Sequence, residues 1–198
     1  MTYAQDYLRE AEHVLAALDA DAIERMADAL VALREREGRL FIVGTGGGAG
    51  HASHAVNDFR KIAGIEAYTP TDNVSELTAR INDDGWDTSY VNWLKVSKMA
   101  ARDMLLVFSV GGGDLERNVS ANLVRCVQHA REIGATVCGV VGREGGYTAR
   151  VGDVVVIVPT ANPANVTPHT ESFQALVWHL LVSHPRVQAH AMKWESIR

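Results

Sequence analysis

The chain has 198 residues, 47% hydrophobic and 22% charged, with a formal net charge of −5 and a pI near 5.9. This length supports one domain with a substantial core, and the acidic balance argues against general nucleic-acid binding, which carries a basic surplus. No apolar run reaches the ~18 residues of a bilayer span, and Met1-Thr2-Tyr3-Ala4-Gln5-Asp6 lacks the basic and apolar regions of a signal peptide, so a cytoplasmic protein is expected, with neither nucleic acid nor membrane as partner.

Residues Tyr3 to Arg36 read as two helices broken near Asp19-Ala20-Asp21. Leu8, Ala11, Leu15 and Leu18 fall on one face, and Ile23, Ala27, Leu30 and Val31 on another. A strand follows at Leu40–Val43 and a helix at about Gly50–Ile62. Ala67-Tyr68 reads as a short strand before Thr69-Pro70-Thr71-Asp72-Asn73. Asp87–Ala100 reads as a helix, Met104–Phe108 as a strand, and Asn118–Ile133 as a helix stopped by Gly134. Ala135–Val141 and Val154–Val158 are near-continuous apolar runs, as in strands covered on both faces. Thr170–Ser183 closes the chain as a helix. Cys126 and Cys138 show neither metal nor redox spacing and read as small buried hydrophobes. Strands alternating with helices imply βαβ crossovers and a mainly parallel sheet. The expectation is a three-layer α-β-α sandwich: one domain over 1–198, with a helical arm at 1–37 and a core at 38–198. An arm with two apolar faces is expected to pack on another subunit.

Two glycine clusters each follow a hydrophobic strand. Phe41-Ile42-Val43 runs into Gly44-Thr45-Gly46-Gly47-Gly48-Ala49-Gly50, and Leu105-Leu106-Val107-Phe108 into Ser109-Val110-Gly111-Gly112-Gly113. A loop poor in side chains between a strand and a helix offers backbone N–H groups at the positive end of the helix dipole, which suits a phosphate. In open parallel sheets ligands sit beyond the carboxyl ends of the strands, where both loops belong.

His54 and Asp58 lie four apart, on one face of their helix; Glu171 and His179, eight apart, return to nearly the same face of theirs. Two imidazole–carboxylate pairs on facing helices suit zinc among other divalent ions. They equally suit a general acid–base pair on a bound sugar. Alone, the first pair also reads as a surface contact, and His179 between Val177-Trp178 and Leu180-Leu181 as a core histidine.

The order of glycine loop, His-x-x-x-acid helix, second loop and Thr167-Pro168-His169-Thr170-Glu171 leading to His179 resembles the sugar isomerase (SIS) fold. Within it the chain is similar to the phosphoheptose isomerases, which convert sedoheptulose 7-phosphate into D-glycero-D-manno-heptose 7-phosphate. The resemblance covers nearly the whole chain and is strongest at 44–62, 72–85 and 167–185. It implies that His54, Asp58, Glu171 and His179 hold zinc or another divalent metal, one per subunit. It also implies that Asp58 and His179 transfer protons and that Asn82-Asp83 lies beside the substrate. Phosphosugar binding by Thr45, Gly46, Gly47, Gly48, Ser109, Gly111, Gly112 and Ser120 follows as well, in a homotetramer with sites at subunit interfaces. The chain departs from the family in four places. Asp58 stands for a glutamate, Glu171 for a glutamine, and Gly48 for a serine. The hydroxyl-rich second loop has become Gly111-Gly112-Gly113, followed by an apparent insertion, Asp114–Ser120, where Arg117 and Ser120 offer substitute phosphate contacts. These departures keep two alternatives open: a non-catalytic SIS module, and an isomerase of a different phosphosugar.

Overall fold

The computed structural model describes residues 2–192. Helix α1 (Tyr3–Ala16) opens with a capping box, in which Thr2 accepts from the Gln5 N–H and the Gln5 side chain accepts from the Thr2 N–H. Asp19 caps α2 (Ala20–Glu35) by accepting from the Ala22 N–H, so the expected break is where a second helix nucleates. Then come β1 (Leu40–Gly44), α3 (Gly47–Lys61), β2 (Ala67–Tyr68), α4 (Val74–Asp84), α5 (Trp86–Val96), β3 (Met104–Ser109), α6 (Ala121–Glu132), β4 (Thr136–Val141), α7 (Gly146–Val151), β5 (Val154–Ile157) and α8 (Val166–Ser183).

All five strands are parallel in the order β2-β1-β3-β4-β5, with Leu40 in register with Met104, and Met104 with Thr136. Period-two alternation divides the strand side chains between two cores. Leu40, Ile42, Leu106, Phe108 and Val140 face α2, α3 and α8; Phe41, Val43, Leu105, Val107 and Val137 face α5 and α6. This is the α-β-α sandwich expected from the sequence.

Differences from the sequence reading lie at ends and short elements. Helix α3 begins at Gly47, three residues early, because the glycines of the first loop form its first turn. Helix α8 begins four residues before Thr170, with Pro168 in the first turn, where its missing N–H costs nothing. Helix α6 begins only at Ala121, because Asp114 and Val119 close 114–119 into a tight loop by exchanging two backbone hydrogen bonds. Two helices were not predicted: α4, which buries no residue, and α7, which has six residues. In the second loop, a β-carbon on Gly112 (φ +69°) would fall 1.8 Å from the Gly145 carbonyl oxygen, so only glycine fits that position.

The two arm helices are held differently. Helix α2 buries Ile23, Met26, Ala27, Leu30 and Leu33 in the core, whereas α1 buries only Val14 and leaves Leu8 and Leu15 exposed. A polar clamp supplements Val14 and the partly buried Ala11, which also packs on the core. The Glu10 carboxylate accepts from Asn162 Nδ2 (2.6 Å), Asn165 Nδ2 (2.8 Å) and His169 Nε2 (2.9 Å), and the His169 ring stacks on Tyr7 at 4.4 Å. These bonds, foremost that from Asn165 and then those from Asn162 and His169, lower the Glu10 carboxyl from an ordinary 4.5 to about 2. Folding therefore favours the ionised group; its contribution is complete above pH 4.5 and disappears as pH falls toward 2. Wild type is expected to exceed Glu10→Gln in stability at neutral pH, with the gap closing through that window. Urea melts across pH check it; a pH-independent gap would contradict the clamp.

Candidate metal and active site

Helices α3 and α8 pack on the same face of the sheet through Ala52, Ala55, Phe59, Phe173, Val177 and Leu181. Their neighbouring faces converge on His54, Asp58 and His179, whose ligating atoms all lie within 4.8 Å of one another. Asp58 is 3% exposed. Its Oδ1 accepts from Asn57 Nδ2 at 2.8 Å, while its buried Oδ2 has no hydrogen-bond donor among the described residues. That Oδ2 lies 3.7 Å from His54 Nε2 and 3.9 Å from His179 Nε2. His179 Nδ1 donates to the Ala175 carbonyl at 2.8 Å, which turns Nε2 to the side of the Asp58 carboxylate. Trp178 backs the pair: its indole stacks on His179 at 3.5 Å and meets the His54 ring edge-on at 4.7 Å.

A buried carboxylate oxygen without a donor is costly unless a countercharge serves it. Two imidazole nitrogens and one carboxylate oxygen are a donor set for zinc and similar ions. Donors about 2.0–2.2 Å from a shared ion span separations close to these, so the residues fit a divalent cation.

Glu171 stands apart from the trio. Eight helical residues separate it from His179, about 12 Å along the axis, so a shared face does not bring the two side chains together. Its carboxylate lies over Gly47, where a β-carbon would come within 2.4 Å of Oε2. It thus occupies the positive end of α3, whose first turn carries no acidic residue of its own. His51 feels both centres: burial pushes its imidazole below 6.5, Glu171 opposes that, and His54 and His179 reinforce it.

The expected phosphate contacts are scattered. Thr45 is exposed and accepts from Asn122 Nδ2 at 3.2 Å. Gly46 is exposed at the start of α3, Gly47 lies beneath Glu171, and Gly48 is buried. Ser109 Oγ accepts from the Gly112 N–H at 3.0 Å, and the Gly112 carbonyl accepts from the Thr148 N–H and hydroxyl, so this loop's polar groups are largely engaged within the fold. Ser120 precedes α6 in a left-handed conformation, with no side-chain cap bond. Asn82 and Asp83 are exposed on α4 and bonded to each other at 2.8 Å. Two polar groups, Asn122 and the Tyr90 hydroxyl, went unread at this end of the sheet, beside Gln174. Asn122 Oδ1 is buried without a donor among the described residues, and the Tyr90 hydroxyl donates to the Gly44 carbonyl at 3.0 Å, its pKa raised to about 12, chiefly by burial. Gln174 Nε2 donates to the Val140 carbonyl at 3.0 Å, leaving its own Oε1 without a donor. A polar residue in the apolar face of a helix was the available signal.

The SIS domain family matches residues 3–142 of this chain. A phosphoheptose isomerase from Rhodospirillum rubrum is 30% identical over 82% of this chain and 83% of its own. The chain belongs to the SIS-domain phosphoheptose isomerase family. Membership makes it a sugar-phosphate isomerase. The lincomycin biosynthesis protein LmbN of Streptomyces lincolnensis is also similar, at 31% identity over 93% of this chain and 69% of that protein. Among solved structures, the phosphoheptose isomerase of Neisseria gonorrhoeae shares the fold with a TM-score of 0.77 at 24% identity, covering 91% of this chain and 94% of its own. None of the helices described in this SIS-domain isomerase is long and apolar enough to cross a membrane.

For this isomerase, metal analysis is expected to find a divalent ion held by the trio. Outer-shell changes alone cost metal sites about 10–100-fold in affinity, so Asp58→Asn or His54→Ala should each cost about 100-fold or more. Competition with a chromogenic chelator measures this, and wild-type affinity in both variants would remove the trio as the metal site.

Proposed function

We propose that this chain interconverts sedoheptulose 7-phosphate and D-glycero-D-manno-heptose 7-phosphate, as one SIS domain spanning residues 1–198, in the cytoplasm. The observation that carries the reading is the donor-less Oδ2 of Asp58 between the Nε2 atoms of His54 and His179. A non-catalytic module has no need of such a buried carboxylate. Zinc is the ion we assign, one per subunit, held by His54, Asp58 and His179; Glu171, the fourth donor that the resemblance implies, turns instead toward Gly47.

Aldose–ketose isomerisation moves one proton between neighbouring carbons and one between their oxygens. Asp58 takes the carbon-bound proton and returns it to the adjacent carbon. His179, its Nδ1–H held by the Ala175 carbonyl, would carry the proton between the oxygens through Nε2, the atom that also faces the ion, so that the two roles alternate. Trp178 and the surrounding core restrict water on one side of the pair. A bound divalent ion supplies Lewis-acid polarisation of the carbonyl. Thr45, Gly46 and Gly47, with Ser120, are the groups we assign to the phosphosugar, beside Asn82-Asp83. A homotetramer is the assembly we assign, supported by exposed Leu8 and Leu15 on α1 and Leu176 and Leu180 on α8.

Isomerisation of a different phosphosugar is the second reading, favoured by one observation. The Gly112 N–H is taken by Ser109, so the second loop does not offer a hydroxyl-rich cradle.

The test is turnover of sedoheptulose 7-phosphate by wild type and His179→Ala, with metal analysis before and after chelation. Wild-type turnover is expected to disappear with the metal and to fall at least about 100-fold in the variant, as for loss of an acid–base group. A metal-loaded protein inert to this substrate moves the assignment to another phosphosugar. Neither metal nor turnover overturns the enzyme mechanism.

A further inference from the structure

Helices α3 and α8 run in the same direction along their shared seam. The Glu171 carboxylate lies over Gly47 at one end, and His179 Nε2 lies 3.9 Å from Asp58 Oδ2 at the other. Gly47, His51, His54 and Asp58 follow one another at spacings of four, three and four along α3, so all four share the face turned to α8. His51 therefore stands about 6 Å along the axis from Gly47 and about 4.5 Å before His54. It occupies the step between the lone carboxylate and the metal-binding trio.

The surroundings of this imidazole suit proton transfer. The ring is half-buried and has no hydrogen-bond partner among the described residues, so neither nitrogen is committed within the fold. It stands apart from the trio of His54, Asp58 and His179, whose ligating atoms converge within 4.8 Å. Burial foremost keeps it below 6.5, with Glu171 acting against that and His54 and His179 adding to it, so the ring is neutral at pH 7. A neutral imidazole accepts a proton, and a carboxylate beside it stabilises the imidazolium that results. The trio's own histidine is less free for this task, since His179 Nδ1 is bonded to Ala175 and its Nε2 faces Asp58. A phosphosugar held at the first loop by Thr45, Gly46 and Gly47 reaches the trio across His51.

We propose that His51, backed by Glu171, is a further proton carrier of the isomerisation, moving the proton between the two substrate oxygens while His179 Nε2 faces the ion. The inference rests on the heptose phosphate mechanism given above. One ring nitrogen takes the hydroxyl proton as that O–H bond breaks. The imidazolium then gives a proton to the neighbouring carbonyl oxygen as the new O–H bond forms. Ring and substrate end with the protons they began with, and transfer of the carbon-bound proton remains with Asp58.

Kinetics of metal-loaded His51→Ala on sedoheptulose 7-phosphate test it, with chelator competition as a second readout. A fall in kcat of about 100-fold is expected, as for loss of an acid–base group, with KM little changed and metal affinity equal to wild type. Added imidazole is expected to raise kcat about tenfold in His51→Ala and to leave wild type unaffected, because a free base can enter the space of the deleted ring. Glu171→Gln is expected to lower kcat about tenfold with His51 in place and to add little in the double variant, since the carboxylate acts through the ring. Metal affinity lost in His51→Ala assigns the ring to the ion and overturns the proposal. So does a fall in kcat that imidazole leaves untouched, which marks a packing role. Wild-type kcat in His51→Ala overturns the carrier while the heptose reading stands. A wild type inert to this substrate overturns the heptose reading and the carrier with it.

Discussion

The site depends on α3 and α8 sharing one floor. Both helices lie on the face of the sheet made by Leu40, Ile42, Leu106, Phe108 and Val140, and their small and aromatic residues interlock there. Ala52 and Ala55 bring α3 close, and Phe59, Phe173, Val177 and Leu181 fill the space between. With the two axes fixed by apolar packing, the residues at the edge of that contact have little freedom. Asp58 is drawn under the surface and His54 and His179 close over it. Burial of a carboxylate is unfavourable by several kcal/mol without compensation, so the packing energy of the two helices sustains a local arrangement that would not form by itself. The Ala175 carbonyl and the Trp178 ring then set the orientation of His179.

At the carboxyl ends of the strands, backbone rather than side chains decides what is available. The first loop is drawn into α3 as its opening turn, and the dipole of that helix meets the Glu171 carboxylate. The second loop is locked between Ser109 and the start of α7. Two clusters that look alike in sequence therefore do different work. One lays the opening turn of α3 beneath an anionic side chain, whereas the other forms a rigid shelf held by its own hydrogen bonds.

The same contrast runs through the arm. Helix α2 belongs to the core by the ordinary criterion of its buried aliphatic residues. Helix α1 is joined to the head of α8 by one carboxylate and three donors, and its outer stripe of Leu8 and Leu15 stays at the surface. A hydrophobic-periodicity reading treats the two helices alike, since it registers amphipathicity without registering what covers it.

Much of this architecture was legible in the chain. Apolar runs such as Leu105–Phe108 and Val137–Val141 have no polar face, so they could only be strands covered on both sides, and their alternation with helices dictated parallel pairing. The four-residue spacing of His54 and Asp58 likewise placed both on one helical face before any fold was known. Helix α4 was not predicted, although Val74, Leu77 and Ile81 recur at helical spacing after the Asn73 cap, because its apolar stripe is short and none of its residues is fully buried. The eight-residue spacing of Glu171 and His179 already put them about 12 Å apart along one helix; what spacing could not say is that Glu171 turns to Gly47 at the start of α3. Nor could it bring the second glycine loop against the turn before α7, for the two come from separate segments and meet only where Gly112 and Gly145 pack backbone to backbone. The sequence by itself determined the elements, their alternation and one pair of donors, because those follow from local spacing and burial. Tertiary packing alone decided which donors converge, because convergence depends on the distances between elements.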